Sequence, residues 1–576
     1  MSKPMQVRRA RRSVGSMRWA AWADALGFIS ELTSEAGLRR RLEGRPLTDP
    51  VDWTRRIGGK FGVDVRLPAG CYSDDTQLRL AVARAVHSRG FDIEAFARVE
   101  LTVWPSYALG GGRASKAAAA NLAKPETPWF GNFYKGYLDA GGNGAAMRVQ
   151  PHVWAAQQPT AAGQHLLDVL VDGVTTHGHP RALVGAVLHA LVLGTVLQDG
   201  TVPSVQSWPD LLDATEQAVK LIDEHPQLSS LWRPAWEART GGPLADGWRA
   251  AVEECREMLP AATLAADRIA SAACQGPEAR AAYRDLVAVL SLDDPDKRGQ
   301  ATSTVVAAMA LAAAAPCDPA EAARLAASMV PTDTDTIATM AGAIIGAADG
   351  APEPPAVLDG PYLTAEAVRL AEIAGGQPTV PFSYPDLLGW VPPRSQVDVV
   401  GLAGRMPAMA GLGWLEQIEG TDPVRAQSTE WLWATSDFGA TFLVKRRPKM
   451  RDLPPGNWPV RRDRQPVRPD RAAGGSKPAQ QLPLVEDRDM TSTARDGEDA
   501  RMVSPVPPAG PGAGPRDFAT GRDPVNIDDM LDWLARNGYA DGQLGYATRR
   551  IAELGTVEQM VAFTTALRTA IRKARR

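Results

Sequence analysis

Cysteine is scarce: the 576 residues hold four, Cys71, Cys255, Cys274 and Cys317, far apart and never as a CxxC pair. That spacing indicates neither a zinc knuckle nor a disulfide framework, and the compartment it suggests is reducing cytoplasm. An excess of charge is lacking too. A formal net charge of −3 and a pI near 6.2 give no general case for nucleic-acid binding. Long hydrophobic runs are missing: the longest, residues 182–197, is interrupted by His189 and reads as a buried helix, so no membrane is expected. Arg8, Arg9, Arg11 and Arg12 have no apolar stretch behind them, so residues 1–16 read as a basic disordered tail and not as a secretory signal. No GxGxxG joins a strand to a helix, which leaves a Rossmann site unsupported. No Ser–His–Asp arrangement is visible either, so covalent acyl chemistry is not favoured.

What is present is oxygen, concentrated twice. Ser73-Asp74-Asp75-Thr76 and Asp333-Thr334-Asp335-Thr336 each pack hydroxyls and carboxylates into four residues, and each opens an apolar helical pattern. Leu78, Val82 and Ala85 follow the first; Ile337, Met340, Ala341, Ile344 and Ile345 follow the second. Ser, Thr and Asp are the usual helix N-caps, and taken alone each cluster reads first as a cap. Hard divalent cations want the same oxygens, and adjacent carboxylates are costly unless something neutralises them. Brought together, the two clusters offer enough ligands for a two-metal site.

Between them lie two further patterns. Gly110-Gly111-Gly112-Arg113 and Gly141-Gly142-Asn143-Gly144 are small-residue turns that let backbone N–H groups approach a phosphate or a ribose. Thr176-His177-Gly178-His179-Pro180 has two histidines but no third soft ligand nearby, so one hydrogen-bonded and one exposed ring is the expectation. Upstream, Trp19, Leu26, Phe28 and Ile29 line a buried helix punctuated by Asp24, Gly27 and Glu31.

Taken in order, these motifs resemble the ADP-ribosylglycohydrolases. Asp24-Ala25-Leu26-Gly27 with Glu31 is similar to the family's GDAxG…E, with Ala23 for the leading glycine. Ser73-Asp74-Asp75-Thr76 resembles (S/T)DDT, Gly142 to Arg148 resembles GNGAxMR, Thr176-His177 with Pro180 resembles TH…P, and Asp333 to Ala338 resembles DxDT-IA. The resemblance implies an all-α catalytic domain over residues 17–375 with two Mg²⁺ or Mn²⁺ ions below an ADP-ribose cleft. By residue-for-residue carry-over, Ser73, Asp74, Asp75, Asp333, Asp335 and Thr336 would hold the metals. Gly142, Asn143, Gly144 and His177 would contact ADP-ribose, and Glu31 with Asp74 and Asp75 would serve catalysis. The implied activity removes ADP-ribose from a protein, nucleic acid or small molecule by cleaving a ribosyl C1″ N- or O-glycosidic bond. A catalytically silent ADP-ribose reader or immunity protein is the alternative.

The rest of the chain changes character. Residues 376–446 alternate, with strands expected over 396–400, 429–435 and 440–444 and a hairpin turn at Ser436-Asp437-Phe438-Gly439; they read as a small β-containing appendage. Residues 447–524, rich in Pro, Arg, Asp and Gly, read as a disordered linker. Ile527, Met530, Leu531, Leu534, Ile551, Phe563 and their neighbours place two or three short helices in residues 525–576, expected to dock an unknown protein partner. The fold class expected is mainly α.

Overall fold

Four arginines near the N-terminus do not form a tail; they divide between two faces of a helix. In the computed structural model, which describes residues 3–59, 62–461, 526–536, 538–539 and 541–574, helix α1 (Lys3–Ser30) starts almost at once. Arg9 and Arg12, three apart, turn inward and are 5% exposed, while Arg8 and Arg11 stay outside. Arg9 donates to the carbonyls of Val153, Trp154 and Ala156, the end of a short helix (Gln150–Trp154). Arg12 donates to Leu197 and Gln198 carbonyls and grips Asp349 with two bonds of 2.8 and 2.7 Å. The expectation of a disordered residue 1–16 segment is therefore corrected. Guanidinium donors satisfy helix C-terminal carbonyls that would otherwise be buried unpaired.

The chain continues through α2 (Glu35–Arg41), an antiparallel hairpin of β1 (Trp53–Ile57) and β2 (Val63–Leu67), and α3 (Asp74–Ala85). Among the helices that follow are α4 (Gln164–Thr176), α5 (Pro180–Asp199), α6 (Leu244–Ser271), α7 (Ala301–Ala314), α8 (Thr334–Gly346) and α9 (Gly360–Ala374). α5 is apolar and long enough to cross a membrane by length and composition, yet it is buried among α4, α6 and α7. Its apolar residues point all round because it has neighbours all round. α1 packs antiparallel to α8 through small residues. A side chain on Gly27 would stand 2.5 Å from the Asp335 Cα, and one on Gly342 would strike Trp19 and Ala23. That close crossing brings the end of α1 to the start of α8.

The appendage is a six-stranded antiparallel sheet, β3 (Val400–Ala403), β4 (Met406–Met409), β5 (Gly413–Gln417), β6 (Val424–Ala426), β7 (Thr429–Ser436) and β8 (Thr441–Arg446). The order is β8-β7-β5-β4-β3, and β6 pairs with the first half of β7. The turn after Ser436 closes with Gly439 at φ +94, as its sequence demands. The strand expected over 396–400 is instead a 3₁₀ turn, Gln396–Asp398, with β3 beginning at Val400. Residues 447–461, expected as linker, pack on the sheet: Leu453 is buried, and Asn457 bonds both the N–H and the carbonyl of Val391. The remainder of that segment, from 462, lies outside the described residues.

Two compact units divide the chain, Met1–Arg471 and Ala472–Arg576. In the second, α10 (Ile527–Arg536), α11 (Asp541–Leu554) and α12 (Val557–Ala574) gather around Met530, Leu534, Ala547, Ile551 and Phe563. Val557 and Val561 are exposed.

Candidate active site

A cleft of about 900 Å³ opens in the first unit, large enough for a nucleotide-sized ligand. Glu31, Asp74, Asp75, Gly142, Asn143, Gly144, His177, Asp333, Asp335 and Thr336 all line it. Of the expected site residues only Ser73 does not. It caps α3, accepting the Asp75 N–H at 3.2 Å, and it also hydrogen-bonds Asp24.

Each carboxylate is held by the local fold. Asp24, buried within α1, accepts from the Ser73 and Thr76 N–H groups at 2.9 Å each and from the Thr76 hydroxyl at 2.5 Å. It anchors the start of α3 and so aims Asp74 and Asp75. Gly110, at φ +134, lies so close to the Asp74 carboxylate that a side chain there would meet it, and Gly111 gives that carboxylate a backbone N–H. Glu31 follows the last turn of α1. Arg41 donates to the Ile29 and Glu31 carbonyls, and Arg55 on β1 reaches the Glu31 Oε2 at 2.9 Å while lying over the Phe28 ring. Asp333 precedes α8, and Asp335 opens it, taking the Thr336 N–H at 2.9 Å.

These groups press on one another. One oxygen each from Glu31, Asp333 and Asp335 falls within 4.8 Å of the others, the single such group among the described residues. Burial, then Glu31 and Asp24, push Asp74 up to about 7. Asp75 and Asp335 are held well above the usual carboxylate range, by burial first and by neighbouring carboxylates next. Glu31 is also raised by burial, with Arg55 opposing. Moreover, Asp75 Oδ2 is buried without a partner. Buried carboxylates so crowded require cations or protons.

The ligand-side residues divide. Asn143 turns its amide nitrogen to Asp333 Oδ2 at 2.8 Å and to the Thr304 hydroxyl at 3.1 Å. A carboxylate only accepts, so the amide orientation is fixed and the side-chain oxygen is left for a ligand. Arg148 donates to the Thr176 hydroxyl at 2.7 Å, and that hydroxyl meets His177 Nδ1 at 2.7 Å. Nδ1 is the one acceptor the structure shows for the proton of that hydroxyl, which favours the tautomer with Nε2–H facing the cleft beside Gly144. Burial, then Arg148, hold His177 down to about 3, so the ring stays neutral. His179 is half-buried, and its Nδ1 caps α5 through the Arg181 N–H.

The sequence profile of the ADP-ribosylglycohydrolases matches residues 5–375. The chain belongs to the ADP-ribosylglycohydrolase family. Membership supports glycohydrolase chemistry on ADP-ribosyl groups, and the profile's start agrees with a helix that includes the N-terminal arginines. A solved ADP-ribosylglycohydrolase-related protein complex is 21% identical, covering 64% of this chain and 99% of that one, with a TM-score of 0.38. Comparison with curated proteins finds no match.

Sequence reasoning missed two residues of this ADP-ribosylglycohydrolase site. Arg79, fully buried, donates to Thr76, Thr339, Gln150 and the Met147 carbonyl, so one guanidinium ties α3, α8 and the segment after Asn143 together. Its signal was a charge set between Leu78 and Leu80 in the apolar stretch of α3. Arg55 gave no signal, since only the hairpin's folding brings it to Glu31.

Proposed function

We propose that the chain hydrolyses the ribosyl C1″ N- or O-glycosidic bond of ADP-ribosylated substrates, using two Mg²⁺ or Mn²⁺ ions. The carrying observation is the crowding of Glu31, Asp74, Asp75, Asp333 and Asp335 on one cleft, with a buried Asp75 oxygen left unpaired. Asp74, Asp75, Asp333, Asp335 and the Thr336 hydroxyl are the hard oxygen donors such ions take, and they would hold them. Ser73, carried over as a further ligand, caps α3 by accepting the Asp75 N–H and lies outside the residues that line the cleft. Bound divalent cations would neutralise this cluster and acidify a water.

The chain's own residues supply the rest. Arg55 holds one oxygen of Glu31, and the other remains to orient a water or accept its proton at C1″. His177 Nε2–H and the Asn143 side-chain oxygen give a ligand one donor and one acceptor at fixed positions, and Gly142 and Gly144 keep the approach open. Anionic oxygens on the floor favour the positive charge that develops on the ribosyl carbon.

The test is mass spectrometry of ADP-ribosylated peptides, nucleic acids and free O-acetyl-ADP-ribose after incubation with protein and Mg²⁺ or Mn²⁺. Release of ADP-ribose that chelation stops and metal restores is the expected result. Full turnover in excess EDTA would sink the metal reading. Tight ADP-ribose binding without turnover on any substrate would make the chain a reader.

A further inference from the structure

We propose that the sheet Val400–Arg446, outside the matched residues 5–375, is part of the framework of the active site and fixes the two loops that set Asp74, residues 68–76 and 105–111. The first tie runs through Asp359. Its Oδ2 accepts the Tyr72 hydroxyl at 2.7 Å and the Thr441 N–H, the first residue of β8, at 2.8 Å. Asp359 sits at φ +58, a left-handed conformation held in place by its surroundings, and the Leu358 N–H beside it bonds the Gly70 carbonyl at 3.2 Å. One carboxylate thus staples β8 to the turn that delivers Ser73, Asp74 and Asp75.

The second tie is aromatic. Phe442 of β8 packs against Tyr107 with ring centres 4.7 Å apart and the rings tilted by 59°. Gln77 on α3 bonds both the Tyr107 carbonyl and the Leu109 N–H at 3.1 Å, and this strand of chain leads to Gly111, which bonds Asp74. Beneath both loops, Trp431 and Leu443 of the sheet share one apolar cluster with Phe28, Trp53, Cys71 and Leu109. These are the neighbours of Glu31, Arg55, the Asp74 turn and Gly110. Without the sheet, each would lose the surface that sets its position. Tyr72, Asp359 and Phe442 are therefore positioning residues.

Tyr72→Phe, Asp359→Asn and Phe442→Leu, each in the full chain, test this by peptide-resolved hydrogen–deuterium exchange. Exchange across residues 68–76 should rise about threefold or more in the first two, and across 105–111 in the third, with α5 unchanged. On an ADP-ribosyl substrate kcat should fall about tenfold with KM within about twofold, since geometry and not affinity is disturbed. Unchanged exchange in both loops, or a rise that α5 shares, would overturn the proposal. If Asp359→Asn does not fold, Tyr72→Phe and Phe442→Leu decide. The turnover arm rests on the hydrolase reading and the exchange arm does not. Wild-type protein with no activity therefore counts against that reading, and the sheet is then judged on exchange alone.

Discussion

At the scale of the residue, this protein keeps charges where burial disfavours them, and the consequences are measurable. Asp75 is pressed upward by burial and by Asp24, Asp74 and Asp333. Asp75→Asn removes one of the crowded charges, so the metal-free protein should be more stable, by about 1–2 kcal/mol in urea unfolding. The same change should abolish stabilisation by Mn²⁺ and lower turnover about a thousandfold. Loss of metal-free stability, with the Mn²⁺ response intact, would contradict the site. His177 offers a second case. Thr176→Val removes the hydroxyl that fixes its tautomer, and KM should rise about tenfold, roughly 1.4 kcal/mol, while Thr176→Ser restores it. Nitrogen-15 chemical shifts of the ring should report Nε2–H in the wild type and a mixture in the valine variant.

At the scale of the element, helix α5 carries a titratable group through the interior. His189 Nε2 faces Gln150 at 2.9 Å, and Arg79 holds the amide oxygen of Gln150, so the amide nitrogen must face the ring. The ring is neutral, and burial, then Arg79, hold it down to about 3. An unfolded histidine titrates near 6.5. Between these values the unfolded chain binds the extra proton, so His189 contributes stability that is complete above pH 6.5 and is lost as pH falls. His189→Gln keeps an acceptor but cannot titrate. Urea unfolding from pH 7 to 5 should therefore fall more steeply in the wild type, by about 1.4 kcal/mol per pH unit below 6.5. Parallel pH profiles would show that His189 ionises in place.

At the scale of the whole molecule, a sheet that positions the Asp74 loops would place the boundary of the catalytic unit later than the family match. A chain ending at Arg461 keeps the cleft, the sheet and the segment from Leu453 to Asn457 that packs on it, and its kcat on a small ADP-ribosyl substrate should stay within about twofold of the full chain. A chain ending at Gly375 strips Trp431 and Leu443 from the cluster around Phe28 and Trp53, and it should lose both solubility and turnover. Equal activity of the two truncations would show the sheet to be dispensable.

The sequence by itself determined the mainly α fold class, the order of the motifs and ten of the residues that line the cleft, Glu31, Asp74, Asp75, Asn143, His177, Asp333 and Asp335 among them. Those features are local: an Asp-Asp pair at a helix start, Asn143 between glycines, and Thr176-His177 before Pro180 stay legible because short-range geometry demands those residue types. It misread residues 3–16, because a cluster of arginines looks solvated until buried carbonyls of distant helices come to meet it. It named Ser73 as a ligand, and the structure shows that hydroxyl accepting the Asp75 N–H at the start of α3. Only the tertiary structure decided that Arg55 pairs with Glu31, that Arg79 binds three segments, and that Asp359 joins β8 to the Asp74 turn. These are long-range hydrogen bonds made by side chains whose sequence neighbours carry no trace of the partner, and folding alone brings donor and acceptor together.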